Sequence, residues 1–174
     1  MSQQGDVEYK LITEANEELP NSREYTGRGL AQYPNGDSFE GTYEKGVREG
    51  RGIYRYKDGD KYEGEWVANM KHGVGKQSYK DGVYNGFWEN GRRHGEGVFT
   101  YTNGDIYSGW WKFGSKEGTG TYTFKETGMK LYGDWVAGSI VKGKWIYPNG
   151  MFYEGAFDKN KPAGEGKWVF NNGN

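Results

Sequence analysis

The sequence contains no cysteine, only two histidines and only four prolines among its 174 residues. Without cysteine the chain can form neither disulfides nor thiolate metal sites, which fits a reducing compartment such as the cytoplasm. No apolar run approaches the ~18 residues of a membrane-spanning helix. The net charge of −1 argues against charge-driven binding to nucleic acid or to anionic lipid. We therefore expect no nucleic-acid partner and regard a membrane partner as unlikely.

Aliphatic side chains are also scarce, and the apolar content is carried by 15 Tyr, 8 Phe and 7 Trp. The 31 glycines are far more than the usual ~7% of residues, but they follow no Gly-X-Y period, which excludes collagen. Aromatic residues are enriched in strands, and glycine disfavours helix interiors. The composition therefore predicts a β-sheet protein.

An aromatic-x-Gly-x-aromatic phrase recurs about every 23 residues along the chain. Its copies begin at Phe39, Tyr62, Tyr84, Tyr107, Leu131 and Tyr153. A fixed period of this length indicates one supersecondary unit that is copied and stacked. Residues found in every copy are expected to serve the stack, so function must be sought mainly where the copies differ.

Most copies also contain a Gly-x-Gly motif followed by an Asn-Gly or Asp-Gly dipeptide. The dipeptides are Asn35-Gly36, Asp58-Gly59, Asp81-Gly82, Asn103-Gly104, Asn149-Gly150 and Asn172-Gly173. Between alternating flanks they predict β-hairpins with type I′ turns, joined by short polar links such as residues 89–94. The predicted fold is all-β, an elongated single-layer antiparallel sheet of six to seven stacked hairpins over residues 25–174. Residues 1–24 are predicted to form an acidic N-terminal leader or cap.

Alternation along the strands assigns the recurring aromatic residues to one face of this sheet. The predicted repeat core is Tyr56, Tyr62, Gly64, Trp66, Tyr79, Trp88, Tyr101, Trp111 and Trp135. A sheet without a second layer has little else to bury, so stacked rings must supply much of its stability. An alternative is that this face is a groove whose exposed ring edges accept a peptide.

The pattern Gly50-x-Gly52-x-Tyr54-x-Tyr56-x-Asp58-Gly59 and its continuation through Tyr62, Gly64 and Trp66 resemble the MORN repeat (membrane occupation and recognition nexus). The resemblance covers residues 25–174, as six full units and a leading half. It implies the stacked-hairpin fold and a non-enzymatic scaffold.

A narrower resemblance is to the MORN-repeat proteins of the radial spoke head in motile cilia and flagella. It rests on the acidic leader, the longer turn at residues 125–130 and the late segment 160–170. It implies other radial spoke head proteins as partners and a cytoskeletal location in the axoneme. Such proteins usually continue into an acidic tail, so we expect either that the native chain continues beyond Asn174 or that a partner covers the edge of the last hairpin. Two alternatives remain open: a peripheral, phosphoinositide-binding MORN adaptor at membranes, and the regulatory MORN array of a larger enzyme.

We find no pattern of catalytic, cofactor-binding or metal-binding residues. His72 and His94 occupy equivalent repeat positions, where Glu49 and Glu117 stand in other copies. The Asp58-Gly-Asp60 sequence lacks the remaining ligands of a calcium loop. The sequence therefore predicts no catalytic site, no cofactor and no metal.

The copies differ most on the polar face. Apolar residues replace polar ones at Val83, Phe87, Ile106, Trp110, Tyr132 and Phe152. An apolar cluster on an otherwise polar, solvent-exposed face indicates a protein-interaction site, with a homodimer as one possibility. The alternative is that the leader folds back over the cluster, through Val7, Tyr9 and Leu11, which alternate like a strand.

Basic residues concentrate in the links of the first four hairpins, namely Lys45, Arg48, Lys71, Arg92, Arg93, Lys112 and Lys116. They are predicted to line one edge of the sheet as a basic stripe. Such a stripe would support phosphoinositide binding, although interleaved acids favour an acidic protein partner instead.

Overall fold

The computed structural model describes residues 8–171 and contains no helix within that range. After Lys80 the chain divides into two compact units, which we call the first and the second unit. The first unit contains β1 (Lys10–Thr13), β2 (Glu18–Leu19), β3 (Gly27–Gln32), β4 (Ser38–Glu44), β5 (Val47–Arg55), β6 (Lys61–Val67) and β7 (Met70–Tyr79). The second unit contains β8 (Gly82–Glu89), β9 (Arg92–Tyr101), β10 (Ile106–Lys112), β11 (Ser115–Thr123), β12 (Lys130–Val136), β13 (Ser139–Ile146), β14 (Phe152–Asp158) and β15 (Lys161–Val169).

Each unit is an open antiparallel sheet in which strands pair with their neighbours in the chain. The order is β2-β1-β3-β4-β5-β6-β7 in the first unit and β8 through β15 in the second. Only the leader departs from the simple meander, because β1 pairs with both β2 and β3. The predicted all-β fold of stacked hairpins is confirmed.

The turn chemistry differs from the prediction. At Asn35-Gly36 only the glycine has positive φ, at 91°, and Tyr33 donates its N–H to the Asp37 carbonyl at 3.0 Å. This is a three-residue loop with a left-handed glycine rather than a type I′ turn. Tyr56 and Asp60 close the same loop at 2.9 Å. The predicted turn at Asn172-Gly173 lies outside the described residues.

The type I′ conformation occurs instead in the links. Positive φ at both central residues is found at Lys45-Gly46, Ala68-Asn69, Asn90-Gly91, Phe113-Gly114, Ala137-Gly138 and Lys159-Asn160. Each of these pairs connects two strands of a sheet directly. The predicted polar links are therefore themselves tight hairpin turns, and β3–β7 and β8–β15 each form a continuous meander.

Aspartates that follow the glycine turns tie one hairpin to the next. Asp105 accepts hydrogen bonds from the Tyr122 hydroxyl at 2.7 Å and from the Lys125 N–H at 2.8 Å. Burial acts to raise the pKa of Asp105, but these bonds and one from Asn103 outweigh it and hold the pKa below its usual value. Asp37 makes the equivalent bonds to Tyr54 and Lys57 in the first unit.

Glycine pairs lie beneath tyrosine rings on the aromatic face. Gly64 is paired with Gly75, and the Tyr62 ring covers both. A Cβ atom on Gly64 would lie 2.5 Å from the Gly75 Cα and 2.5 Å from the Tyr62 hydroxyl oxygen. Tyr62 in turn packs edge-on against Trp66, with ring centroids 5.2 Å apart. Glycine is therefore required here to let the ring lie flat on the sheet.

The predicted core residues differ in how deeply they are buried. Tyr62, Trp66, Trp88, Trp111 and Trp135 are buried, with no more than 4% of their surface exposed. Gly64, Tyr56, Tyr79 and Tyr101 are half-buried. Trp66, Trp111 and Trp135 also donate their indole N–H to glycine carbonyls, as Trp111 does to Gly97 at 3.1 Å.

Candidate interaction surfaces

The outward face of β8–β10, opposite the aromatic face, carries an apolar cluster. We use this name for Val83, Phe87, Val98, Ile106 and Trp110. Phe87 and Trp110 are 49% and 50% exposed, Val98 and Ile106 are 38% and 39% exposed, and Val83 is half-buried. This much exposed apolar surface on three adjacent strands is typical of an interaction site.

The strand register brings these side chains together. Val83 and Ile106 flank Thr100 from its two sides. Val98 pairs with Asn85 on one side and Ser108 on the other. With adjacent strands ~4.8 Å apart, Val98 lies between the Val83–Ile106 row and the Phe87–Trp110 row.

Val98 is not among the predicted interaction residues, although the sequence contains a signal for it. The predicted residues all lie at positions in the strands that carry the aromatic phrase. Val98 belongs to the intervening strand, one residue after Gly97, where alternation also points it outward. Reading both strands of each hairpin would have found it.

Tyr132 and Phe152 lie apart from this cluster along the second unit. Tyr132 on β12 pairs with Lys144, and the Lys144 ammonium lies 4.8 Å from the Phe152 ring centroid. Lys144 also contacts Glu154 at 3.6 Å. Tyr132 is 47% exposed and Phe152 is half-buried. The structure thus places these two residues in a mixed, partly charged region of the outward face.

A pocket of about 200 Å³ opens beside Trp110 and is lined by His94, Trp111, Lys112, Glu117 and Gly118 as well. Gly118, which lines the pocket, lies in a β-bulge between β10 and β11 and adopts a positive φ of 68°. The His94 imidazole lies 3.3 Å from the Glu89 carboxylate, on the opposite strand of the hairpin. The pocket is suited to a side chain of a partner protein docking against the Trp110 ring.

The predicted basic stripe is wrong for four of its members. Arg48, Lys71, Arg93 and Lys116 lie on the aromatic face rather than along an edge. The Arg48 guanidinium is 4.6 Å from the Trp66 ring centroid, and the Arg93 guanidinium is 4.4 Å from that of Trp111. Cation–π attraction to closely packed rings explains why the cations turn inward. This arrangement removes much of the basis for the phosphoinositide-binding alternative.

The two lysines of this series are partly desolvated. Burial, followed by repulsion from Arg48, lowers the pKa of Lys71 to about 8. Burial and repulsion from Arg93 lower the pKa of Lys116 to about 8 in the same way. Four rings surround the Lys116 ammonium, at 4.8 to 5.4 Å, and belong to Tyr101, Tyr107, Tyr122 and Trp135.

The alternative in which the leader covers the apolar cluster is also wrong for its two described residues. Leu11 pairs with Ala31 on β3 and is fully buried in the first unit. The Tyr9 ring packs on Tyr33 at 5.0 Å, and its hydroxyl donates to Ser22 at 2.6 Å. Both side chains are committed to the first unit because the leader adds strands to β3. Val7 lies outside the described residues.

Between residues 8 and 171, no group of three or more acidic or histidine side chains is placed to hold a metal ion. The same range offers no helix that could cross a membrane.

A solved structure with a similar fold is the TCP domain of SAS-4 (dCPAP) from Drosophila melanogaster, in complex with a proline-rich motif of Ana2 (dSTIL). The TM-score is 0.56 at 18% sequence identity, and the match covers 100% of this chain and 92% of that chain. Comparison of the sequence with curated proteins gives no significant match.

The MORN repeat family model matches five segments, residues 39–61, 62–83, 84–106, 107–128 and 153–174. The unmatched residues 129–152 fold into the same kind of hairpin, β12–β13, but depart from the pattern. There Ile140 replaces the recurring cation opposite Trp135, and the first glycine of the Gly-x-Gly motif is missing. Because the five segments span more than half of the chain, this protein belongs to the MORN repeat family.

Proposed function

We propose that this chain is a non-enzymatic scaffold that joins other proteins through the apolar cluster, within the radial spoke head of motile cilia or flagella. The observation that carries the proposal is the cluster itself, five apolar side chains on three adjacent strands of the outward face. MORN repeats suggest a repeat scaffold, since their recurring residues serve the stack and leave the rest of the surface free to vary.

The fold likeness agrees with a protein-binding role. The structure of the Drosophila TCP domain was solved in complex with a proline-rich motif of Ana2, and the fold of that domain is similar to that of this chain. We therefore expect protein partners here, which in the proposed setting are other radial spoke head proteins or a second copy of this chain. Trp110 and Phe87 would act as anchors, because large aromatic side chains dominate the energy of protein interfaces.

The first test replaces Trp110 with serine in the full chain. Loss of an anchor of this kind weakens binding by about 2 kcal/mol or more, which corresponds to roughly 30-fold. Sedimentation velocity would measure self-association, and titration against purified spoke-head proteins would measure partner binding. Val136→Ser is the matched control, because Val136 is also 50% exposed but lies outside the cluster.

Circular dichroism decides whether Trp110→Ser still folds. We expect an unchanged spectrum, since half of the Trp110 surface is already in solvent. Assembly equal to that of the unmodified chain, or unfolding of the variant, would contradict the proposed role of the cluster.

The proposed location requires a separate experiment. Cells that carry a tagged copy would be extracted with detergent, and the soluble and cytoskeletal fractions would be immunoblotted. We expect retention with the axoneme and release only by high salt or chaotrope, as for a subunit held by many protein contacts. Complete release by detergent would contradict the spoke-head location and favour a peripheral membrane adaptor.

A further inference from the structure

The aromatic face of the second unit carries a row of rings that are only partly covered. We call Tyr101, Tyr122, Phe124, Trp145, Tyr147 and Trp168 the aromatic row. Tyr101 and Tyr122 are 5.5 Å apart, and Tyr147 lies 6.0 Å from Trp145 and 6.1 Å from Trp168. Five of the six are half-buried and Trp168 is 44% exposed, whereas the phrase residues Tyr107 and Trp111 beside them are buried.

The row has a regular spacing along the sheet. Tyr101, Phe124 and Tyr147 occupy equivalent repeat positions: Tyr101 ends β9, and Phe124 and Tyr147 directly follow β11 and β13. Because neighbouring strands are ~4.8 Å apart, equivalent rings recur about every 9.6 Å. A polyproline II helix has three residues per turn and rises 3.1 Å per residue, so its turn is about 9.3 Å long. A polyproline II segment that crosses the strands therefore presents one equivalent residue to each ring of the series.

Other peptide conformations do not match this spacing. An extended strand turns its side chains to opposite sides at every residue, so residues three apart would point alternately toward and away from the rings. An α-helix has a pitch of 5.4 Å, which fits neither one nor two strands of the sheet. The strand backbones are also already paired in the sheet, so a ligand on this face must bind chiefly through its side chains. Proline suits that requirement, because it lacks an N–H and is pre-ordered for aromatic surfaces.

The charge beside the row changes from one end to the other. Lys116 lies 4.8 Å from the Tyr122 ring centroid, and within residues 8–171 its ammonium forms no ion pair. At the equivalent positions of the next hairpins stand Ile140, opposite Trp135, and Pro162, opposite Phe157. An acidic ligand residue is therefore favoured at the β9–β11 end, and an apolar one at the β13–β15 end.

We propose that the aromatic row binds a proline-rich segment of another protein in the polyproline II conformation, with a proline at every third residue and an acidic residue at the β9–β11 end. The segment crosses the strands from β9 toward β15. At 3.1 Å per residue, about ten residues span these seven strands. This site lies on the face opposite the apolar cluster, so the inference goes beyond the proposed function and does not depend on it.

The test uses the full chain and a synthetic ten-residue peptide with prolines at positions 1, 4, 7 and 10 and one glutamate near one end. Isothermal titration calorimetry would give the affinity, and intrinsic fluorescence would report on Trp145 and Trp168. The matched peptide has the same composition, but its prolines stand at irregular intervals. We expect this peptide to bind about tenfold more weakly, because most of its prolines miss the rings.

Protein variants locate the binding. Tyr147→Ala and Trp168→Ala should each weaken the regular peptide by about 3- to 10-fold, in line with the energies of aromatic contacts. Trp110→Ser should bind the peptide as the unmodified chain does. Lys116→Gln should weaken the glutamate peptide but not a peptide with glutamine in its place. Circular dichroism of each variant confirms that the sheet is intact.

Each contrary result overturns the inference. Equal binding of the regular and irregular peptides would show that the face takes an extended chain without polyproline II register. The absence of binding at about 1 mM peptide to a folded protein would show that the row is only a structural surface. Loss of binding in Trp110→Ser, with retention in Tyr147→Ala, would place the peptide on the outward face instead.

Discussion

The first and second units have the same aromatic face but different outward faces. Glycine pairs under tyrosine rings, buried tryptophans and inward-turned cations occur in both. On the outward face, the first unit has Ser38 and Lys61 where the second has Val83 and Ile106. The ion pairs Arg55–Glu40, at 3.5 Å, and Lys61–Glu63, at 3.6 Å, also lie on the outward face of the first unit. The stack therefore constrains one face and leaves the other free to acquire a binding function.

Two equivalent pockets beside the hairpin turns, one in each unit, also differ in the side chains that line them. In the second unit the pocket is lined by His94 and Trp110. The equivalent pocket of the first unit, about 400 Å³, is lined by Thr26 and Thr42 at the corresponding positions. The backbone of the two pockets agrees at Gly50 and Gly118, which both have φ near 67°, but differs at Gly27 and Gly95, with φ of 144° and 67°. At these two corresponding positions, threonines stand in the first unit where the second unit has His94 and Trp110.

The largest effect is expected from the face that the two units share. Trp66→Ala and Trp111→Ala each remove a buried indole, 3% exposed in both cases, and its hydrogen bond to a glycine carbonyl. Each should lower the free energy of unfolding by about 3–5 kcal/mol. Urea unfolding measures this loss.

The neighbouring residue supplies the control for this prediction. Trp110→Ala should lower the free energy of unfolding by only about 1–2 kcal/mol, because half of the Trp110 surface is already in solvent. Similar losses in Trp110→Ala and Trp111→Ala would contradict the assignment of the two faces.

Glycine-to-alanine changes should have an intermediate effect that is again equal in the two units. A Cβ atom on Gly64 would lie 2.5 Å from the Gly75 Cα, and one on Gly86 would lie 2.5 Å from the Gly97 Cα. Overpacking of this kind costs about 1–3 kcal/mol. Gly91→Asn is the control, because that turn glycine has no atom within 4 Å and asparagine tolerates positive φ. Thermal melts of Gly64→Ala and Gly86→Ala would measure the two losses of stability. Unequal losses would show that the aromatic faces of the two units are not equivalent.

A smaller effect on stability is expected when the difference between the outward faces is reversed. The four changes Ser38→Val, Thr42→Phe, Lys61→Ile and Glu65→Trp place the residues of β8 and β10 onto the first unit. Because these four side chains face outward and none of them is fully buried, stability should change by less than about 1 kcal/mol. Self-association, measured by sedimentation velocity, should rise because the chain then carries a second apolar surface. Unfolding of this variant would show that the outward face is not free to vary.

The repeat made the fold predictable, because the spacing of Tyr62, Gly64 and Trp66 requires alternating faces and a fixed hairpin length. The turns were less predictable. Asn35-Gly36 satisfies the sequence rule for a type I′ turn, but the pairing of Tyr33 with Asp37 leaves three residues in the loop. Phe113-Gly114 adopts the type I′ form without its usual asparagine, since the register of β10 and β11 leaves only two residues between them.

The candidate site was predictable only where alternation alone decides the direction of a side chain. Phe87 and Trp110 follow from alternation, and Val98 follows once both strands of a hairpin are considered. The inward cations did not follow, because a link residue such as Arg93 has no fixed direction until the next hairpin places Trp111 beside it. The path of the leader could not be predicted from the sequence either, because the pairing of Leu11 with Ala31 joins residues far apart in the chain.

The smallest effect concerns the lysines of the shared aromatic face and should again be alike in the two units. The pKa values of Lys71 and Lys116, both lowered to about 8, lie below the value of ~10.4 for an unfolded chain. From pH 8 upward the folded protein releases these protons while the unfolded chain retains them, so stability should rise with pH. Burial raises the pKa values of Tyr62 and Tyr107, so these tyrosines make stability fall with pH only above about pH 10. Between pH 8 and 9.5 the change in stability therefore reports on the lysines. Melting temperatures across that window should rise less in Lys71→Met and in Lys116→Met than in the exposed control Lys142→Met. An undiminished rise in either variant would show that its unit does not hold the lysine against the rings in solution.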